Sequence, residues 1–138
     1  MNKYRLKVYP KGRGREIYRV IEIGGNASLD NLCGAILEAY DFTDEHLYEF
    51  CMDNRMYDEY NYQSDPEYKG QPSTKTKIDS LELEEGQVFS LHYDFGDDWM
   101  FAINVQKIEE IKVNFVPIVV KSKGVIEQYP DWDDDEYF

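Results

Sequence analysis

Cysteine is scarce in this chain. The two thiols among 138 residues, Cys33 and Cys51, sit inside apolar segments without the paired spacing of a zinc site, so a disulfide framework and a zinc ribbon are both excluded. Long apolar runs are missing too. No stretch approaches the roughly 20 consecutive apolar residues that cross a bilayer, and no apolar h-region follows Met1 to mark secretion. These absences point to a reducing, cytoplasmic setting and away from a membrane. Nucleotide-binding loops are also wanting. Gly12 and Gly14 are not followed by a third glycine opening a helix, so they read as a hairpin turn and not as a phosphate cradle. The triplet Asp94-Phe95-Gly96 stands without a glycine loop, a following lysine or a catalytic-loop signature, which excludes a kinase.

What the chain has in quantity is aromatic side chains and acid. Aromatics make up 15% of the residues, with twelve tyrosines, and such a chain can offset its backbone entropy and fold. Its length predicts one domain over 1–138, with a long polar loop at 53–78 and an acidic tail at 129–138. The net charge of −13 is unevenly spread. Residues 1–20 carry seven basic groups against one acid, net +6, whereas the remaining 118 carry eight basic and 27 acidic groups, net −19. So acidic a molecule repels phosphate backbones at long range. A basic protein partner suits it better than nucleic acid, although the basic start (Lys3, Arg5, Lys11, Arg13, Arg15) offers a local anion contact.

Periodicity gives an α+β plan. Tyr4 to Tyr9 alternates as a half-buried strand, Pro10 to Gly14 has turn chemistry, and 16–23 returns as a second strand. Ser28 is placed to cap a helix whose Leu29, Leu32, Cys33, Ile36, Leu37 and Tyr40 fall on one face. Cys33 in that stripe reads as core filler, since nothing nearby would lower its pKa. HLYEFCM (46–52) follows as a third strand. Residues 53–78 are broken by Pro66, Gly70 and Pro72 and carry no assignment, and 77–83 reads as a short turn or helical piece. Strands at 87–94 and 99–110 form a second hairpin, and 115–120 adds an edge strand.

The tip of that second hairpin, HYDFGDDWMF (92–101), is the densest cluster of chemistry-bearing residues. A three-residue loop, Gly96 to Asp98, places Phe89, Leu91, Tyr93 and Phe95 on one face with Trp99, Phe101, Ile103 and Val105. The other face then carries Ser90, His92, Asp94, Met100, Ala102 and Asn104. Histidine with carboxylates suits a divalent ion such as manganese or iron, and His92, Asp94, Asp97 and Asp98 are the candidate ligands for water activation. The competing reading is a tight turn, with the aspartates accepting backbone N–H groups and Gly96 supplying the unusual backbone angle. The turn reading is preferred, and no cofactor is predicted. His46 and Glu49, three apart on a strand, fall on opposite faces, which gives them structural roles, His46 capping or bridging at the strand's start. The terminal DWDDDEYF lacks calcium-loop spacing. Trp132, Asp133, Asp134 and Asp135 are its candidate docking residues for a basic partner.

The run SLDNLCGAILEAYDFTDEHLYEF, followed some forty residues later by HYDFGDDW, resembles the plasmid pRiA4b open-reading-frame-three-like family of small bacterial and archaeal α+β proteins. The paired motifs HLYEF and YDFGDxW, in that order, carry the resemblance from the first strand to about Val105. It implies a single curved sheet in ββαβ…ββ order with one principal helix packed on it, a β-grasp-like roll, and an association with mobile elements through a transposon-resolvase label. Many relatives have a histidine where this chain has Phe101, and many end in a Pro-Pro-Glu-Asp and glycine-rich segment where this chain reads GVIEQYPDWDDD. Any histidine and carboxylate site of the family is therefore incomplete here. The sequence supports first a cytoplasmic, non-catalytic protein-interaction module. An accessory protein in nucleic-acid or mobile-element transactions and a metal-dependent hydrolase built on the acidic hairpin are the alternatives.

Overall fold

Alternation of apolar and polar residues builds most of this protein. The computed structural model describes residues 1–130. Its strands are β1 (Asn2–Pro10), β2 (Tyr18–Gly24), β3 (Tyr48–Cys51), β4 (Tyr62–Gln63), β5 (Val88–Tyr93), β6 (Trp99–Glu110) and β7 (Ile118–Lys123), with one α-helix, α1 (Leu29–Ala39), and a 3₁₀ turn at Ile78–Leu81. The strands form a single sheet in the order β4-β3-β5-β6-β1-β2-β7, and all of these pairings are antiparallel. The protein is α+β. No helix among the described residues is long and apolar enough to cross a membrane.

One face of the sheet, here called inner, packs against α1. Leu6 and Val8 of β1, Phe89 and Leu91 of β5, and Phe101, Ile103 and Val105 of β6 point into this layer, and the helix contributes Leu29, Leu32, Cys33, Ile36 and Leu37. Ser28 caps the helix as expected: its hydroxyl accepts the Asn31 N–H while the Asn31 side chain accepts the Ser28 N–H. The last turn holds no basic residue. Arg19 of β2 supplies one from outside, its Nε donating to the Ala39 carbonyl at 3.0 Å with the guanidinium 4.5 Å from the Tyr40 ring centre. A cation at the helix C-terminus satisfies an orphan carbonyl and opposes the dipole. Burial drives the Cys33 thiol pKa up, as befits core filler.

The far end of the helix layer depends on a close approach. A Cβ on Gly25 would lie 1.9 Å from Asp79 Oδ1, the atom that accepts the buried Tyr4 hydroxyl at 2.7 Å. Gly25→Ala must displace that carboxylate and orphan the Tyr4 hydroxyl, so we expect a loss of about 1–3 kcal/mol in stability. Urea unfolding reads it directly, and an unchanged midpoint would mean that the Asp79 turn yields freely.

Several boundaries differ from expectation. The edge strand predicted at 115–120 runs three residues later, as β7, because Pro117 supplies no ladder N–H. The second hairpin pairs Tyr93 with Trp99 and Leu91 with Phe101, so its loop is Asp94 to Asp98, five residues instead of three. The register shift is two residues, and the predicted faces survive it except at Phe95. That ring leaves the inner face and packs 4.9 Å from His92 and 5.5 Å from Tyr57, centre to centre. The segment 53–78 is also more than a loop. It adds β4 to the sheet and buries Asn61 and Thr74.

Candidate functional site

The outer face of the sheet divides in two. Across β3 and β5, the segment following β3 folds back over it. Across β6, β1, β2 and β7 the face is open to solvent. The covered half holds a chain of charged groups. Glu49 of β3 and His92 of β5 stand directly opposite one another in the antiparallel ladder, both sealed, at 1% and 0% exposure. His92 Nδ1 lies 2.7 Å from Glu49 Oε2, and its Nε2 lies 2.6 Å from Asp98 Oδ1. The remaining capacity of Glu49 is filled by the covering segment: the Tyr57 N–H donates to Oε2 at 2.8 Å, and Asn61 Nδ2 and Gln63 Nε2 donate to Oε1 at 2.9 and 2.8 Å. The Tyr57 hydroxyl reaches over to Asp98 Oδ1 at 3.1 Å.

These contacts set the protonation states. Burial alone would raise the Glu49 carboxyl, but hydrogen bonds from His92, the Tyr57 N–H, Asn61 and Gln63 outweigh it and hold the group at about 2. Burial likewise opposes charge on His92, yet Glu49 and Asp98 together raise its pKa. The His92 hydrogen bond lowers that of Asp98. With a carboxylate oxygen against each nitrogen, the ring is assigned as an imidazolium below its raised pKa, both N–H groups donating, and the network then reads as minus, plus, minus from the interior outward. A buried pair holds only with good geometry and its spare lone pairs satisfied, and both conditions are met.

The candidate residues of the acidic hairpin therefore part company. His92 and Asp98 join the network just described. Asp94 turns its Oδ1 onto the Gly96 and Asp97 N–H groups, at 3.0 and 3.3 Å, and its Oδ2 stands 3.5 Å from His46 Nε2. Asp97 is exposed at the tip. Asp94 and Asp98 adopt the left-handed angles, at φ 66° and 52°, a role expected of Gly96. Aspartate tolerates that region because its short side chain bonds locally. Among the described residues, no group of three or more His, Cys, Asp or Glu side chains is placed to hold a metal ion. Of the two roles its position offered, capping or bridging, His46 takes the second: its Nε2 also lies 2.7 Å from the Tyr129 hydroxyl, and Gln128 Oε1 accepts the Thr43 N–H at 2.7 Å. The irregular segment 124–130 is thereby strapped across the start of β3.

The basic candidates lie in the open half. Lys3 is shared by Glu22 and Glu109, at 3.8 and 3.4 Å, Arg13 pairs with Glu16 at 3.2 Å, and Lys11 and Arg15 are exposed at the hairpin tip. Arg5 points outward from the centre of β1. Trp132, Asp133, Asp134 and Asp135 lie outside the described residues. Sequence reasoning missed Glu49, Tyr57, Asn61 and Gln63 as a unit. A signal existed: Glu49 shares its strand face with Cys51, and a buried small apolar residue beside a carboxylate implies that the face is covered.

Comparison with known proteins agrees with this architecture. The model of the Plasmid pRiA4b ORF-3-like protein family matches residues 2–129. Among solved structures, the chain is similar to the crystal structure of a protein of unknown function, MM3350, from Methanosarcina mazei Go1, with 26% identity and a TM-score of 0.66, over 88% of this chain and 68% of that one. No curated protein gives a match. With the family model spanning every strand of the sheet, the chain belongs to the plasmid pRiA4b ORF-3-like protein family.

Proposed function

We propose that this protein is a non-catalytic interaction module whose acidic, aromatic end receives a basic segment of a partner protein. The carrying observation is a concavity of about 590 Å³ where the covering segment meets β3. Asp58, Glu59, Asp65 and Glu67 line it beside Tyr57, Tyr68 and Phe95, and Tyr57 and Tyr68 are 60% and 61% exposed. Carboxylates attract an ammonium or guanidinium group, and the faces of neighbouring rings hold it by cation–π attraction. The net charge of −13 steers a basic partner toward the molecule. Glu49, the inner end of the network, lines this concavity, so its floor is preformed and binding orders little.

The same network supports the non-catalytic reading. A general base needs a free nitrogen within reach of a substrate proton, and both His92 nitrogens face carboxylates inside a ring of zero exposure. Cytoplasmic placement suits the two thiols, which are free and buried; burial takes the Cys51 group up to about 12, so it stays protonated.

Titration calorimetry with a synthetic Arg/Lys-rich peptide tests the reading. Binding is expected to weaken by about tenfold in Tyr68→Ala and in the Asp65→Asn, Glu67→Gln double variant, and to fall with added salt. Absence of binding at low ionic strength, or wild-type affinity in both variants, would remove it.

A further inference from the structure

The open half of the outer face suits a second kind of ligand, because the register places basic and aromatic side chains there. On β1 the inward residues Tyr4, Leu6 and Val8 are buried, so Arg5, Lys7 and Tyr9 point outward. Lys107 of β6 pairs with Arg5. Val20 of β2 pairs with Lys7 on one side and with Lys121 of β7 on the other, and Tyr18 pairs with Lys123. The result is a cationic lattice with two tyrosines set into it. Lys7 Nζ lies 5.5 Å from the Tyr9 ring centre and 4.8 Å from that of Tyr18, and Lys121 Nζ lies 5.8 Å from Tyr18.

Charge on this face is not internally cancelled. Glu22 and Glu109 are taken by Lys3, and Glu109 also by Lys107 at 2.6 Å. Among the described residues, Arg5, Lys7 and Lys121 have no carboxylate within ion-pairing distance. In a chain of net −13, a cationic area flanked by the exposed tip residues Lys11 and Arg15 stands out against the rest of the surface.

We infer that this face is a platform for single-stranded nucleic acid, with Arg5, Lys7, Lys121 and Lys123 contacting phosphates and Tyr9 and Tyr18 stacking on bases. Cations two residues apart on a strand are about 7 Å apart, and neighbouring strands are separated by about 4.8 Å, so a flexible backbone crossing the sheet passes from the cations of β1, over Tyr18 and Val20 of β2, to those of β7. Alternating rings and cations distinguish this ligand from an acidic peptide, because every base offers a π-face and a carboxylate side chain offers none. A duplex keeps its bases stacked internally and loses the ring contacts. The surface is separate from the acidic concavity, and neither reading depends on the other.

Fluorescence anisotropy of the full chain with a labelled oligothymidylate, an identical-length duplex and poly-glutamate decides the matter. The single strand is expected to bind most tightly, with log affinity falling against log salt at a slope of about −3 for four phosphate contacts. Lys7→Ala should reduce that slope to about −2. Tyr18→Leu should weaken binding at least fivefold or so without changing the slope. These side chains face solvent, so matching melting curves verify that the variants fold. No binding of the single strand at low salt overturns the inference. So does equal binding of poly-glutamate with indifference to Tyr18→Leu, which would assign the face to an acidic peptide. Loss of binding only on Arg13→Ala or Arg15→Ala overturns it as well, since the tip would then be the contact.

Discussion

Glu49→Ala is expected to lower stability by about 3–5 kcal/mol, the cost of breaking a buried ion pair by removing one partner. The side chain accepts from His92, the Tyr57 N–H, Asn61 and Gln63, so truncation orphans four donors in a space that water does not reach. For a chain of this size the loss corresponds to a melting temperature about 10 °C lower or more. The damage is also local. Three of the four donors belong to the segment that covers β3, and releasing them frees that segment. Limited proteolysis should therefore cut Glu49→Ala within residues 53–71 well before global unfolding, while the wild type resists. Asp98→Asn is the informative comparison, because Asp98 is at the surface and its loss leaves the Glu49–His92 pair intact; its effect should be much the smaller. A Glu49→Ala cost below about 1 kcal/mol would mean that the covering segment is held by something else, and the preformed concavity would lose its foundation.

The same residues explain what the sequence could and could not disclose. The helix was legible because Ser28 and a regular apolar stripe act locally, and β1, β2 and the β5–β6 hairpin because alternation on a one-sided sheet is a two-residue signal. The faces of that hairpin came through even though its loop is five residues long, because three and five share parity. Phe95 did not, since its position is decided by two aspartates in left-handed conformations and by the ring of Tyr57, a partner 38 residues away. The covering segment was opaque for a related reason. Its polar residues fold by bonding to one buried carboxylate, and no period in residues 53–78 records that Glu49 lies beneath. Polar alternation on β3 and β5 looks solvent-facing in sequence, with Cys51 beside Glu49 the one hint of cover, and the tertiary arrangement shows the outer face half-covered. The basic lattice was half visible: Lys3, Arg5, Lys11, Arg13 and Arg15 are adjacent in sequence, but Lys107 and Lys121 join them only through strand order.

The second large effect is a stability profile with losses on both sides of a narrow pH window. Glu49 is held at about 2 in the folded protein against an ordinary value of 4.5. Its contribution is fully present above the unfolded value and is lost as pH falls from about 4.5 toward 2. His92 has the opposite sign. Its folded pKa is raised from 6.5, so its contribution is fully present below 6.5 and disappears as pH rises through the higher folded value. Once that proton leaves, one ring nitrogen turns a lone pair toward a carboxylate, either Glu49 or Asp98. The network is thus strongest between about pH 4.5 and 6.5, and the acid limb reflects Glu49 on the order of 2–3 kcal/mol. Melting temperatures across pH 2 to 10 for the wild type and for Glu49→Gln separate this from the global repulsion of a −13 chain, which both proteins share. Glutamine does not titrate, so the difference between the two curves should be greatest inside the window and shrink toward both extremes. Curves displaced by a constant amount at every pH would show that the interaction of Glu49 with His92 does not depend on their charges, and the imidazolium assignment would fall with it.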